Sequence, residues 1–408
     1  MAKSTKSKSR PSKPRPDFPL FPHASGRWAK KIRGAFAYFG KVADDPKGEK
    51  ALALWLDQKD ELLAGRKPRP KTDDGRLTVR DLCNRFLSAK VKRLQEGLLS
   101  PATFADAKET TDRIVRVFGK SRSVEDLDGD DFAELRADIA KTRNPESVGN
   151  EINRVRSVFK FAWENRKSTG LAAPVEFGTE FARPSRRVLR TVRNGRPQKF
   201  FEAAEVRAML DAAGQPMRAM ILLGVNGGLG NSDIGKLPAS ALNLEAGWLD
   251  YPRPKTGVCR RIPLWVETVA AIQEWLPMRP KPRDDRHADL VFITSHGGAW
   301  AKDLRELDTS NGFEDLQKQC RKSADNPISK EMRKLMDSLN ITRAGVSFYS
   351  LRHVFETIGG ESRDQVAVDF IMGHADESMA DRYRERISDD RLRAVVEHVR
   401  KWLFPTVP

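Results

Sequence analysis

Phe348-Tyr349-Ser-Leu-Arg352-His353, a run of helical pattern, Met372-Gly373-His374 and finally Asp381-Arg-Tyr383-Arg384 form the stretch that decides how this chain is read. The tyrosine follows the histidine by nine residues. Taken singly, each piece has an ordinary explanation: an Arg-His pair on a solvated helix face, a Gly-His at a helix-end turn, a tyrosine in the core or on the surface. Packing alone gives no reason for these residue types to recur in this order at these separations.

Working outward, helical patterns over 202–210 and 217–225 precede Gly228-Leu-Gly230-Asn-Ser-Asp233-Ile234. The region 244–263 then reads as two or three strands. Pro254-Lys255-Thr256-Gly257 supplies the turn and Arg260-Arg261-Ile-Pro263-Leu264 the return strand. Strand alternation sends Arg260 and Arg261 to opposite faces, so at most one of them reaches a given site. Beyond Tyr383, Leu392, Val395, Val396, Val399, Trp402 and Leu403 recur at helical spacing. That stripe either packs on its own domain or docks on a neighbouring subunit.

The stretch from Tyr349 to Tyr383 resembles the tyrosine recombinases, also called phage integrases. Their pattern is H-x-L-R-H, then L-G-H, then a nucleophilic tyrosine nine residues on. Gly228 to Ile234 lines up with the family's first box, G-L-R-x-S-E-L, and Lys255 matches the lysine of the family's β-hairpin. The chain departs from the pattern in two places: Gly230 stands where the first catalytic arginine is expected, and Tyr349 stands where a histidine opens H-x-L-R. The resemblance implies Tyr383 as nucleophile, Arg352 and His374 as donors to the phosphate, Tyr349 as an uncharged third donor and Lys255 as the acid. His353 is expected to buttress the fold.

The chemistry explains the residue types. A phenol can form a covalent phosphodiester if its proton is removed or its oxyanion stabilised, since its free pKa is about 10. The transition state spreads negative charge over the non-bridging oxygens, where a planar guanidinium binds two at once and an imidazole adds a donor. An ammonium suits protonation of the departing 5′ oxygen. With Gly230 lacking a side chain, efficient cleavage needs a substitute cation, for which Arg260, Arg261 or a residue of a neighbouring subunit are the candidates.

The 408 residues carry a formal net charge of +17, with 39% hydrophobic residues. That length suggests two or three domains with real cores, and that charge favours a polyanionic partner, nucleic acid ahead of membrane. The longest apolar run, 219–225, is far too short to span a bilayer, and no hydrophobic signal core opens the chain, so a cytoplasmic protein is expected. Cys83, Cys259 and Cys320 lie far apart without C-x-x-C spacing, which points to neither a disulfide frame nor a zinc site. No metal and no cofactor are expected.

The expected fold class is mainly α with small β-sheets (α+β): a helical core-binding domain, an integrase-type catalytic domain and a small N-terminal β-rich arm module. Residues 1–19 read as a disordered basic arm and 20–65 as a ββα module. Within the latter, a hairpin around Gly34 precedes a helix over 46–63. Residues 77–178 read as a domain of four helices, with polar Asn150, Asn153, Arg154, Arg156 and Lys160 on one of them as candidates for a groove. Residues 179–199 read as an extended basic linker, with Arg186, Arg187 and Arg190 as candidate phosphate contacts alongside Arg260 and Arg261. Residues 200–408 form the catalytic domain.

The function expected from the resemblance is a site-specific recombinase or integrase that cuts and rejoins double-stranded DNA through a 3′-phosphotyrosine intermediate. Its partners would be duplex DNA and three further copies of itself: a monomer in solution, a homo-tetramer in the DNA synapse, with no membrane involved. Two alternatives stay open: a catalytically impaired DNA-binding protein of the same fold, and a type IB topoisomerase-like enzyme.

Overall fold

The computed structural model describes residues 13–63, 76–301, 307–323, 326–374 and 385–405. It divides into two units by packing, residues up to 96 with 106–190, and residues 97–105 with 191 onward. Mostly helical, with two small antiparallel sheets among the described residues, it has the fold class expected from the sequence.

The first sheet contains β1 (Phe21–Pro22), β2 (Arg27–Ile32) and β3 (Ala35–Lys41). Arg33 and Gly34 both take positive φ, 48° and 90°, and close the two-residue turn whose twist matches the flanking strands. One face of the sheet buries Trp28, Ile32 and Phe39 with Trp55 of α1 (Glu49–Leu63). Asp45 caps that helix through the amides of Glu49 and Ala51. The strand β1 is an addition to the expected hairpin; two residues that include a proline carry no alternation to read.

Five helices follow: α2 (Val79–Gln95), α3 (Pro101–Phe118), α4 (Gly129–Thr142), α5 (Pro145–Glu164) and the short α6 (Arg166–Thr169). Their starts are written in the sequence. Thr78, Asp128 and Asn144 each accept from a backbone amide of the first turn, and Pro101 and Pro145 open α3 and α5 where no donor is needed. An edge-to-face cluster fills the centre, with Phe132 5.1 Å from Phe118 and 5.2 Å from Phe159. Burying one such ring contributes roughly 2–3 kcal/mol.

The segment 183–199 is not extended. Residues Arg186–Asn194 form a helix, α7, none of whose residues is buried. Both prolines of the segment, Pro184 and Pro197, lie outside it, the Ser185 hydroxyl accepts from the Val188 amide, and four of the nine residues of α7 are arginines, good helix formers. Proline content therefore marked the ends of a helix here rather than an extended run.

In the second unit α8 (Ala203–Ala212), α9 (Met217–Gly227) and α10 (Asn231–Gly235) lead into a sheet of β4 (Leu242–Asn243), β5 (Trp248–Asp250) and β6 (Arg261–Pro263), in that order. Then come α11 (Val266–Met278), α12 (Gly312–Ser323), α13 (Pro327–Ser338), α14 (Ser350–Gly360), α15 (Gln365–Met372) and α16 (Asp389–Leu403). The helix α9 is the central rod, with every residue but Arg218 buried. Gly224 makes the contact with α14 possible: a Cβ there would lie 2.9 Å from Leu351 Cδ1. Asn226, fully buried, donates to Pro263 O and accepts from the Trp265 amide and the Thr268 hydroxyl, so α9, β6 and α11 are held in one register.

The apolar stripe of α16 is covered by its own domain. Leu392, Val395, Val396, Val399 and Leu403 are buried in the core of the second unit. Trp265 donates its indole N–H to Val396 O, Arg207 donates to Leu403 O, and Arg400 pairs with Glu267. Of the two uses open to this stripe, the structure has the one in cis.

Candidate active site

The site is built around the turn that ends α15. Gly373 closes the helix with φ 64°, and a Cβ at this position would lie 2.7 Å from Arg260 Cδ and 3.0 Å from Arg253 Cβ. Glycine therefore serves both the left-handed cap and the approach of two arginines. On the next residue, the His374 ring nitrogen Nδ1 is 3.0 Å from Asp369 Oδ1, so it donates to that carboxylate and leaves Nε2 for a substrate. Glu356 Oε2 is 3.8 Å from the same nitrogen. Glu356, Asp369 and His374 lie within 4.8 Å of one another, a group that could hold a metal ion, although the hydrogen bond already accounts for the closeness of the imidazole and Asp369.

Arg352 rises from the first turn of α14 and is only 3% exposed. Its Nη1 donates to Gly228 O at 2.5 Å and its Nη2 to Met372 O at 2.8 Å. A guanidinium partnered by carbonyls keeps its whole positive charge. Burial lowers its pKa from the ordinary value, and the neighbouring Arg253 adds to the shift, while Tyr349 and Asp233 act the other way.

The hairpin expected over 244–263 is present, with its turn at Pro254–Gly257. Arg253 donates its amide to Val258 O at 2.8 Å and accepts from the amides of Thr256 and Gly257. Lys255 is exposed on this turn. The hairpin leans on the α15 cap: Arg253 Nη1 donates to Gly373 O at 3.2 Å, and the Thr256 hydroxyl approaches the same oxygen at 3.4 Å. Arg352, His374 and the Lys255 hairpin, distant in sequence, thus meet on residues 372–374. Tyr383 lies outside the described residues.

Arg260 and Arg261 do face opposite ways, with different fates. Arg261 is half exposed, pairs with Asp250 and Asp389, and stacks on Trp248 at 4.1 Å. It braces the sheet against α16. Arg260 is 2% exposed, which corrects its expected place as a surface phosphate contact; the pleat that turns Arg261 outward turns Arg260 in. It donates to Tyr251 O at 2.9 Å and from Nη1 to Asp233 Oδ2 at 3.3 Å, and its Nη2 is buried without a hydrogen-bond partner among the described residues. Burial lowers its pKa, and the charge of Asp233 opposes the shift. Asp233 also accepts from the Gly230 amide at 2.9 Å.

The two departures from the expected pattern are neighbours in space. A Cβ on Gly230 would lie 3.4 Å from Tyr349 Cε2, so the tyrosine ring borders the position the missing arginine would leave from. Tyr349 is 44% exposed, and its ring meets His353 edge-on at 5.6 Å. His353 is itself exposed, so it stands on the surface of α14 rather than inside the fold as a buttress.

The remaining candidates lie elsewhere in the chain. Arg186, Arg187 and Arg190 are on the exposed face of α7. On α5, Arg154 pairs with Asp106 and Glu151, while Asn153, Arg156 and Lys160 line an open groove with Trp163 and Phe177. Arg253 is the residue that sequence reasoning missed. Its only signal was its position two residues before Lys255, which marks it no more than many other basic residues.

Residues 199–388 match the Phage integrase family. The fold is shared with the Tn1549 transposon integrase solved in complex with a circular intermediate DNA, at 16% identity and TM-score 0.53 over 79% of this chain and 99% of that one. It is also shared with a lambda integrase dimer bound to a COC′ core site, at 13% identity and TM-score 0.51 over 77% and 100%. A lambda integrase tetramer bound to a Holliday junction aligns at 14% identity and TM-score 0.50 over 91% and 98%. No curated protein matches the chain by sequence.

Proposed function

We propose that this chain is a tyrosine-type site-specific DNA recombinase. The observation that carries the reading is the meeting of Arg352, His374 and the Lys255 hairpin on the cap of α15, with the Phage integrase family match spanning the same residues. The phenol oxygen of Tyr383 attacks the scissile phosphorus, the bond to the 5′ oxygen breaks, and Lys255 supplies the proton that oxygen needs. Arg352, His374 and Tyr349 donate to the non-bridging oxygens. Reversal with a 5′ hydroxyl from a second duplex rejoins the strands and frees the tyrosine.

The rest of the chain fits a DNA-bound assembly. The open face of the first sheet carries exposed Phe36 and Tyr38 beside His23, with Arg27 over the Tyr38 ring, an aromatic and cationic surface suited to a groove. The helical unit is read as the core-binding domain, and the basic face of α7 follows a phosphate backbone. By analogy with the DNA-bound integrases, four copies assemble around two duplexes from a monomer in solution. No helix among the described residues is long and apolar enough to cross a membrane.

A binding protein of the same fold without chemistry is favoured by one observation, the tyrosine ring beside Gly230. A topoisomerase-like enzyme would cut and reseal without exchanging strands. The test is covalent capture: full-length protein is mixed with nicked duplexes of randomised core sequence and the products are denatured. A recombinase or topoisomerase yields an adduct that Tyr383→Phe abolishes, and only the recombinase joins ends from two duplexes. Binding without adduct leaves the impaired reading.

A further inference from the structure

The catalytic pocket holds more positive charge than its hydrogen bonds explain. Arg352 and Arg253 donate to the successive carbonyls of Met372 and Gly373, at 2.8 Å and 3.2 Å. Arg260 packs against Gly373 beneath them. Among the described residues the one carboxylate hydrogen-bonded to these guanidiniums is Asp233, already shared between Arg260 and the Gly230 amide, while Asp369 and Glu356 of the same cap face the His374 ring. Like charges gathered out of water repel, and an anion bound among them removes that repulsion. The unpartnered Nη2 of Arg260, on a side chain with 0% exposure, is a second, independent sign of a polar group missing from this pocket.

The three arginines are not equivalent. Arg260 is locked under the surface by Tyr251 O, Asp233 and the Tyr251 ring, 5.3 Å away. Arg352 is buried and already holds two carbonyls. Arg253 is half-buried, on the same turn as Lys255, and among the described residues the one hydrogen bond of its guanidinium, to Gly373 O, is 3.2 Å long. It is the guanidinium free to turn toward a ligand above the cap.

Resting on the recombinase reading, we propose that Arg253 supplies the second guanidinium to the scissile phosphodiester, the role Gly230 cannot fill. Both departures from the pattern, Gly230 and Tyr349, then make sense together. The space beside Gly230 belongs to Tyr349, and the cation arrives from the hairpin instead.

The experiment measures the rate of Tyr383 adduct formation on captured nicked duplexes for Arg253→Ala, Arg253→Lys and an equal-charge control, Arg333→Ala, whose side chain is exposed and paired with Asp337. Arg253→Ala is expected to slow cleavage by about 10² to 10³ with DNA affinity within a few-fold of wild type. Arg253→Lys should recover only part, because an ammonium cannot bind two oxygens in one plane. A methylphosphonate at the scissile position, which removes the charge Arg253 is meant to meet, should shrink the difference between wild type and Arg253→Ala. In the Arg253→Ala background, Gly230→Arg with Tyr349→His should regain activity that Gly230→Arg alone does not.

Cleavage by Arg253→Ala within tenfold of wild type, or a loss that the neutral phosphonate leaves unchanged, overturns the assignment. If wild type forms no adduct, the recombinase reading fails, and inorganic phosphate decides the anion site. Its stabilising shift in Tm should then fall more in Arg253→Ala than in Arg333→Ala, and equal shifts refute the site.

Discussion

The helical first unit and the α15 cap handle positive charge in opposite ways. In the helical unit Arg113 and Arg116 share Asp138, Arg122 holds Asp131, Arg143 holds Glu109 and Arg154 holds Asp106. Each of these guanidiniums meets a carboxylate, and the pairs close helix to helix, while Arg85, Arg136 and Arg156 of the same unit donate to the carbonyls of Ser168, Ala182 and Phe181 at its surface. At the cap, Arg352 and Arg253 are held by main-chain carbonyls and Arg260 by half of one carboxylate. A carbonyl orients a guanidinium without neutralising it. Charge that is fixed but not neutralised is what an anion site requires, and a count of basic residues in the sequence does not separate the two cases.

The largest effect that would break this comparison is at Arg352. Its replacement by alanine should lower the rate of adduct formation by about 10³ or more, or at least roughly 4 kcal/mol of transition-state stabilisation. It should also lower Tm, because Gly228 O and Met372 O lose their donor. Arg352→Lys separates the two: it should restore more of the Tm than of the rate. Equal recovery of both would make Arg352 a structural arginine like those of the helical unit.

Next in size is Asn226, which sets where the hairpin meets α9. Asn226→Ala strands a buried carbonyl and two buried donors and should cost about 2–3 kcal/mol in denaturant unfolding. A cost below about 0.5 kcal/mol would show that the hairpin, with Arg253 and Lys255, is not anchored there.

The smallest effect belongs to the neutralised region. The hydrogen bond from Arg116, with Arg113 behind it, holds the Asp138 carboxyl below its ordinary pKa. The folded state therefore binds fewer protons here than the unfolded chain, so the contribution is present above the unfolded pKa and disappears as pH falls through the folded value. Asp138→Asn should cost about 1 kcal/mol at pH 7, and the cost should shrink as pH falls below the ordinary carboxylate range. A penalty independent of pH would mean that packing, not charge, is lost.

Much of this was legible in the sequence because local chemistry speaks there. A domain of helices was expected over 77–178, where Thr78, Asp128 and Asn144 do cap helices, and the spacing from Tyr349 to His374 named residues that the fold brings to one cap. Alternation separated Arg260 from Arg261 without saying which turned inward, since that depends on what packs against β6. Arg253 was invisible because its meaning comes from Gly373, 120 residues away. The helix over Arg186–Asn194 was hidden by its flanking prolines, which read as a mark of extended chain.

The claim at the centre of this account is that the cap serves a tyrosine nucleophile, and peptide mapping tests it most directly. The captured adduct is digested with protease and nuclease, and the peptide that keeps a nucleotide is identified by mass, with and without chelator. A 3′-linked nucleotide on the peptide containing Tyr383, in equal yield under both conditions, is the predicted result. A nucleotide on any other residue, or an adduct that chelator abolishes, would contradict it.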